Sequence, residues 1–301
     1  MELRHLRYFI AVAETGSLTE AAERRLYTSQ PSLSRQIRDL ESHVGVQLLS
    51  RSVRGVELTP AGKAFLDHAR LVLMHVDAAV ETARRAAQPE RKTFAIGFQT
   101  GHEMNWLPPV MQMLHDELKE IQVTVSSDYS PDLAEALTRG RIDLAFLRVE
   151  PGYDLEYYVV DREPLIVLMP SDHRLTARSS VSPQALVGEI FIGGSNKAGV
   201  LRAVTEDYLR RSGIDIKLDH GVDNMAMAIS LVASTRGVAL MPNYAKNLLP
   251  PTVVSRPLEG ETPKIDIAVG YSKSDTSPVL ERFVARLDEL VRLNQRGTSA
   301  V

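Results

Sequence analysis

The side chains in this sequence with the best-defined chemical purpose are Gln30, Ser34, Arg35 and Arg38, which follow one another at spacings of four, one and three. On a helix that spacing places them together on one side, with Pro31 and Ser32 in the first turn. Amide, hydroxyl and guanidinium groups in that arrangement can read base edges and grip phosphates. Constellations for bond-breaking chemistry fail one by one. His102 and Glu103 begin an HExxH pattern, but Trp106 occupies its fifth position, so zinc ligation fails. The stretch GGSNKAG at 193–199 has the flexibility of a phosphate cradle but neither of the spacings that cradle phosphates, and Ser195 lacks the GxSxG context of an activated nucleophile. His68 and His75 lie one heptad apart, as solvated helix residues do. The chain has no cysteine, hence no thiolate chemistry or disulfide framework. The expectation is a binding protein, not an enzyme, with no cofactor and no metal.

Two helices must position the polar group. Ser17 followed by Glu20 is a capping box, so a helix starts at Leu18 and buries Leu18, Ala21 and Ala22. After a break at Thr28 and Ser29, Leu33, Ile37, Leu40 and Val44 recur at four, three and four, which is the buried stripe of a second helix. An earlier helix carries Leu3, Leu6, Phe9, Ile10 and Ala13 and stops at Gly16. Beyond Val44, LLSRSVRGVELT alternates around Arg54 and Gly55, which predicts a two-stranded wing holding Arg51 and Arg54 near a DNA backbone or minor groove. Taken alone, the second helix reads better as a solvated amphipathic helix, since most surface helices carry such a stripe; the three helices and wing together favour a helix-turn-helix.

Thr59 and Pro60 then open one long helix to about Gln88. Phe65, Ala69, Val72, Val76, Ala79 and Ala83 step by four and three, the seam of a coiled coil. A helix about 43 Å long cannot bury so wide a face on a small domain, so it calls for a partner helix, most simply from a second copy. From Thr93 onward strands alternate with helices: TFAIGF, IQVTVSS, IDLAFLR, PLIVLMP, EIFIG, VALMP and IDIAVGY, with helical patterns near 103–117, 131–139, 198–212, 223–235 and 278–294. Continuous apolar runs between helices predict buried parallel strands.

The length of 301 residues suggests about two or three domains. A hydrophobic content of 44% belongs to a folded chain, and the net charge of −3 means that any nucleic-acid contact comes from a local patch. Charges interrupt MELRHLR and no apolar run reaches the ~20 residues of a membrane span, so the expected location is cytoplasmic, away from the membrane.

Residues 1–65, through LRYFIAVAETGS, TSQPSLSRQIRDLE and LLSRSVRGVELTPAG, resemble the winged helix-turn-helix of the LysR-type transcriptional regulators, and the layout of the whole chain is similar. The resemblance implies an α/β multidomain fold. Residues 1–59 form the winged helix-turn-helix, 60–88 a linker and dimerisation helix, and 93–301 an effector domain with two lobes like those of periplasmic binding proteins. Lobe I comprises 93–163 and 268–301, and lobe II 164–267. It also implies double-stranded operator DNA as a partner, a homodimer that pairs into a homotetramer, and a small-molecule effector between the lobes. The matching stretches place Thr100, Gly101, Arg148, Gly194, Ser195, Asn196, Asn224 and Met225 around that effector. Arg148 at a strand end and donors at helix starts favour a carboxylate. Similarity to regulators of aromatic-acid catabolism adds an aromatic ring, covered by Trp106, Met225 and Met241. One departure is visible: three residues, Glu23, Arg24 and Arg25, separate Ala22 from Leu26 where the family has two. The rival is a two-lobed solute-binding or enzymatic α/β protein whose N-terminal region serves assembly only.

Overall fold

The computed structural model describes residues 1–52, 55–86, 92–116, 121–215 and 217–298. They divide into two compact units, Met1–Ala87 and Gln88–Val301.

In the first unit α1 (Leu3–Thr15) ends where Gly16 turns left-handed at φ 66°. Ser17 caps α2 (Leu18–Glu20), its hydroxyl accepting from the Glu20 amide at 3.3 Å. This helix runs directly into a π-helical turn, Ala21–Arg25, in which the Leu26 amide donates to Ala21 O at 3.0 Å. The extra residue between Ala22 and Leu26 is thus absorbed by widening one turn, and Ala21 and Ala22 stay buried. Ser29 caps α3 (Gln30–Val44), which carries Pro31 in its first turn and buries Leu33, Ile37 and Leu40. The wing is an antiparallel pair, β1 (Leu49–Ser52) and β2 (Gly55–Leu58), with Ser52 opposite Gly55. Two contacts fix it to the helices. Glu41 on α3 accepts from the Leu48 and Leu49 amides at 2.8 and 3.0 Å, and Val56 N donates to Gly16 O at 2.9 Å. A Cβ at Gly55 would meet that same oxygen at 2.7 Å, so only glycine fits there.

The long helix α4 (Pro60–Ala86) begins at Thr59, whose hydroxyl accepts from Gly62 N at 2.9 Å. The structure corrects the expected seam. Phe65 packs edge-on against Phe9 at 5.3 Å and Ala69 is 2% exposed, so both belong to the core of their own unit. Val72, Ala79 and Ala83 are exposed and Val76 is half-buried, leaving the later part of the seam uncovered.

The second unit contains β3 (Lys92–Gln99), α5 (Glu103–Met113), β4 (Ile121–Asp128), α6 (Ser130–Thr138), β5 (Leu144–Leu147), β6 (Leu155–Pro170) and β7 (Phe191–Gly194). There follow α7 (Gly199–Arg211), β8 (His220–Val222), α8 (Met225–Thr235), β9 (Val238–Pro242), β10 (Val253–Pro257), β11 (Lys264–Ser272), α9 (Pro278–Val284) and α10 (Leu287–Thr298). The strands run β4-β3-β5-β11-β6-β9-β7-β8, with β10 also on β6. The expectation of parallel strands holds for β3 with β4 and β5 and for β7 with β8 and β9, whereas β11 and β6 run antiparallel to their neighbours. The sheet is mixed because the chain crosses between two cores and comes back. One core gathers Phe94, Phe98, Trp106, Phe146 and Phe283; another gathers Leu165, Val167, Phe191 and Leu240. The long strands β6 and β11 serve both, and their register slips between Ile267 and Ala268, at the crossing.

Candidate DNA-reading face and ligand cleft

On α3, Pro31, Ser32, Arg35 and Arg38 are exposed and Gln30 is half-buried at the helix start. Ser34, expected among the reading residues, is 8% exposed and lies on the packed flank beside Leu33 and Ile37. Arg38 Nε turns back to Ser34 O at 3.3 Å, and Arg35 reaches Asp39 only at 4.0 Å, an exposed pair of little energetic weight that leaves its guanidinium available. Arg25 is engaged with Glu14, which also receives Arg70 at 3.0 Å. Burial raises the Glu14 pKa, but the hydrogen bonds and charges of Arg70 and Arg25 outweigh it and hold it below the ordinary value. On the wing, Arg51 is in β1 but its side chain, like all of Arg54, lies outside the described residues.

In the second unit an open cleft gathers three helix starts: Ser130 and Pro131 of α6, Gly199 to Leu201 of α7, and Asn224 and Met225 of α8. Unpaired amides and aligned dipoles at helix starts favour anions. Asn224 caps α8 by accepting from Met227 N at 2.9 Å and donates to the Tyr129 hydroxyl at 3.2 Å. Lys197 sits on the wall with its Nζ 6.0 Å from the Tyr129 ring centre and 4.0 Å from Asp223. Met225 and Met241 supply a pliable apolar wall. Glu150 also lines the cleft, its pKa raised by burial.

Beneath this cleft lies a buried polar knot. Arg148 donates to Glu163 at 3.0 Å and to Asp266 O at 2.8 Å, and its Nη2 is 3.3 Å from His102 Nε2, itself 3.1 Å from the same Glu163 oxygen. Burial raises the Glu163 pKa, but the His102 hydrogen bond and the Arg148 cation outweigh this and hold the carboxyl below its ordinary value. Burial lowers His102 and wins over the Glu163 hydrogen bond, so the imidazole stays neutral. Its Nδ1 is buried, and the Nε2 side of the ring faces both the Arg148 guanidinium and the Glu163 carboxylate. The His102 ring leans on Tyr244 at 4.1 Å, and the Tyr244 hydroxyl donates to Thr100 O at 3.2 Å. Burial pushes that phenol well above its ordinary pKa.

Of the expected effector residues, Arg148, Asn224 and Met225 line the cleft. Thr100 and Gly101 instead hold the loop under Tyr244, and Ser195 and Asn196 spend their side chains on Asp223 and Arg202. Gly194 is buried in β7, against Ala198. Trp106, 2% exposed, stacks on Phe146 at 5.4 Å and cannot cover a ligand ring. Met241, expected against a ligand ring, does line the cleft, whereas Tyr129, Lys197, Tyr244 and Glu163 are the functional candidates that the motif search passed over. Lys197 was findable, as the single cation of GGSNKAG, and Ser130-Pro131 as a helix start directly after a strand.

Comparison with known proteins accounts for both units. Residues 3–63 match the model of the bacterial regulatory helix-turn-helix protein, lysR family, and residues 87–292 match the LysR substrate binding domain. The Hca operon transcriptional activator HcaR of Escherichia coli (strain K12) is 36% identical over 292 residues, covering 96% of this chain and 98% of that protein. The HTH-type transcriptional regulator AlsR of Bacillus subtilis (strain 168) is 32% identical, covering 94% of each. Among solved structures, CbnR, a LysR family transcriptional regulator also solved in complex with its target DNA, is 26% identical, with a TM-score of 0.58 over 95% of this chain and 100% of that one. These relatives are regulators along their whole length, which removes the rival solute-binding or enzymatic reading. The chain belongs to the LysR family of DNA-binding transcriptional regulators, oligomeric proteins that answer to a small-molecule effector.

Proposed function

We propose that the cleft in the second unit is the effector site and that its ligand is a small carboxylate, with an aromatic carboxylate as the first candidate. The observation that carries this is the meeting of three helix starts around one cavity beside Lys197. Arg148 and Glu163 neutralise each other below it, so the ligand charge falls to the amides of Gly199 to Leu201, to Asn224 and to Lys197, while Met225 and Met241 face the ring. On the DNA side, Gln30 and Arg35 read bases in the major groove with Pro31 and Ser32 at its edge, and Arg38, Arg51 and Arg54 serve the phosphates. Two copies pair through the later part of α4, and dimers associate into a tetramer in the cytoplasm, beside the operator. An effector that prefers one arrangement of the two cores shifts that equilibrium, and with it the geometry imposed on the DNA.

A thermal-shift screen of carboxylates, amines and sugars, followed by calorimetry on the best ligand, tests the cleft. Lys197→Ala then weakens the carboxylate by about 1 kcal/mol, discounted for an exposed charge. A screen in which only cations or sugars raise the melting temperature rejects the carboxylate. For the DNA side, gel shifts with Gln30→Ala lose about 1 to 3 kcal/mol on the specific site and little on random DNA. Equal loss on both rejects base reading by Gln30.

A further inference from the structure

The π-helical turn has a visible consequence in Tyr27. Leu26 N bonds to Ala21 O and Thr28 N to Ala22 O, both at 3.0 Å and both spanning more residues than an α-helical bond. The chain therefore leaves the first reader helix on a wider curve, and Tyr27 comes out at φ 50° with 88% of its surface exposed. Neither property is ordinary for a tyrosine. Left-handed backbone is rarely adopted by residues with a bulky side chain, and large aromatic rings are usually packed. No hydrogen bond or ring contact holds its side chain among the described residues. Local packing gives no reason for a tyrosine here, at a place where glycine or asparagine would sit without strain.

Its position supplies one. Tyr27 stands two residues before Ser29, the cap of α3, and next to the exposed first turn that carries Pro31 and Ser32. When such a helix enters the major groove by its N-terminal end, the segment leading into it crosses the groove edge, where the sugar-phosphate backbone runs. Tyrosine hydroxyls are among the groups that bond phosphate oxygens there. We propose that Tyr27 is a DNA-backbone contact created by the extra residue in the turn: the phenol donates to a phosphate oxygen while its ring rests on the adjoining sugar. The proposal rests on α3 being the recognition helix. Because the phenol is neutral, it displaces no counterion, so its contribution is the same at every salt concentration and on every sequence. An arginine contact behaves differently, since its loss flattens the salt dependence.

The test uses the full chain and a random-sequence duplex, with fluorescence anisotropy across a salt series. Tyr27→Gly relieves the left-handed backbone, so its melting temperature equals or exceeds the parent's, while its DNA affinity falls about tenfold at each salt with the salt slope unchanged. Tyr27→Phe, which keeps the parent backbone and ring, loses a smaller share of the affinity and stands in if the glycine variant fails to fold. A folded Tyr27→Gly protein that binds as tightly as the parent overturns the proposal, as does a Tyr27→Phe protein of parental affinity for the hydroxyl contact. A drop in salt slope, or a changed oligomer in sedimentation, reassigns Tyr27 to a charge effect or a protein interface and also overturns it. Arg38→Ala, which removes a phosphate contact on α3, measured alongside separates the two readings: no effect from either substitution removes the recognition-helix assignment, whereas no effect from Tyr27→Gly alone removes only this contact.

Discussion

A buried cation beside a buried carboxylate is costly to assemble and more costly to break. Arg148 and Glu163, 6% and 7% exposed, are in that position, and truncating either leaves the other buried without its counter-charge, a loss of about 3 to 5 kcal/mol. Arg148→Ala therefore acts first on stability: thermal melting of the second unit drops by roughly 10 °C, before any effect on ligand is measured. An unchanged melting temperature would show the knot to be open to water. The neutral imidazole beside the pair makes a pH prediction. His102 is held below its ordinary 6.5, so below that pH the unfolded chain takes up a proton that the folded chain refuses, and stability is lost as pH falls. Glu163, held below its ordinary 4.5, has the same sign and extends the loss to lower pH. Melting curves therefore fall between pH 6.5 and 4.5, and His102→Gln flattens the upper part of that fall; a parallel slope in the variant would assign the acid sensitivity to other groups.

At the scale of elements, α4 shows what periodicity can and cannot tell. The seam from Phe65 to Ala83 was legible as one apolar stripe, but a stripe does not say which of its parts meets its own domain. Phe65 and Ala69 pack into the core that holds α1, whereas Val72, Ala79 and Ala83 are exposed and Val76 is half-buried. The two parts predict different failures. Phe65→Ala costs the first unit about 2 to 4 kcal/mol of folding stability, reduced for its partial exposure, whereas Val76→Asp leaves the fold and weakens self-association by several kcal/mol. Analytical ultracentrifugation beside thermal melting separates them, and a folded Val76→Asp protein of parental oligomeric state would remove α4 from the interface. The reader helices were legible because caps and stripes are local. Strands such as β5 and β9 were legible as unbroken apolar runs, but β8 has only three residues, β10 (VVSRP) is half-buried and turns polar after two valines, and the first half of β6, LEYYVVDRE, carries polar residues on an open face, so no run marks them. The polar knot was illegible for another reason: His102 and Glu163 stand 61 positions apart, and only the folded sheet makes them neighbours. The burial of Ser34 was not legible because it lies at the boundary of the helical stripe, where a small rotation decides burial.

For the whole molecule, a regulator must let one equilibrium in the second unit bias another at the DNA. The hydrogen bond from Asn224 to the Tyr129 hydroxyl ties the start of α8, packed with the second set of strands, to the junction of β4 and α6, packed with the first. It spans the cleft proposed as the effector site, so on that reading it stabilises the present arrangement of the two walls even without ligand. Tyr129→Phe keeps the ring under Lys197 and removes only the bridge, at about 0.5 to 1.5 kcal/mol. Effector affinity should fall by that amount, because closing must now be driven by the ligand alone. Coupling is reciprocal, so in the parent the operator changes effector affinity by the same factor as the effector changes operator affinity. Calorimetry of the effector with and without an operator duplex measures that factor. If the bridge acts on the lobe equilibrium, Tyr129→Phe also shifts operator affinity in the absence of effector, toward the value of the open state. If effector affinity falls while effector-free operator binding is untouched, Tyr129 is a ligand contact alone, and the link between cleft closure and DNA has to run through other residues.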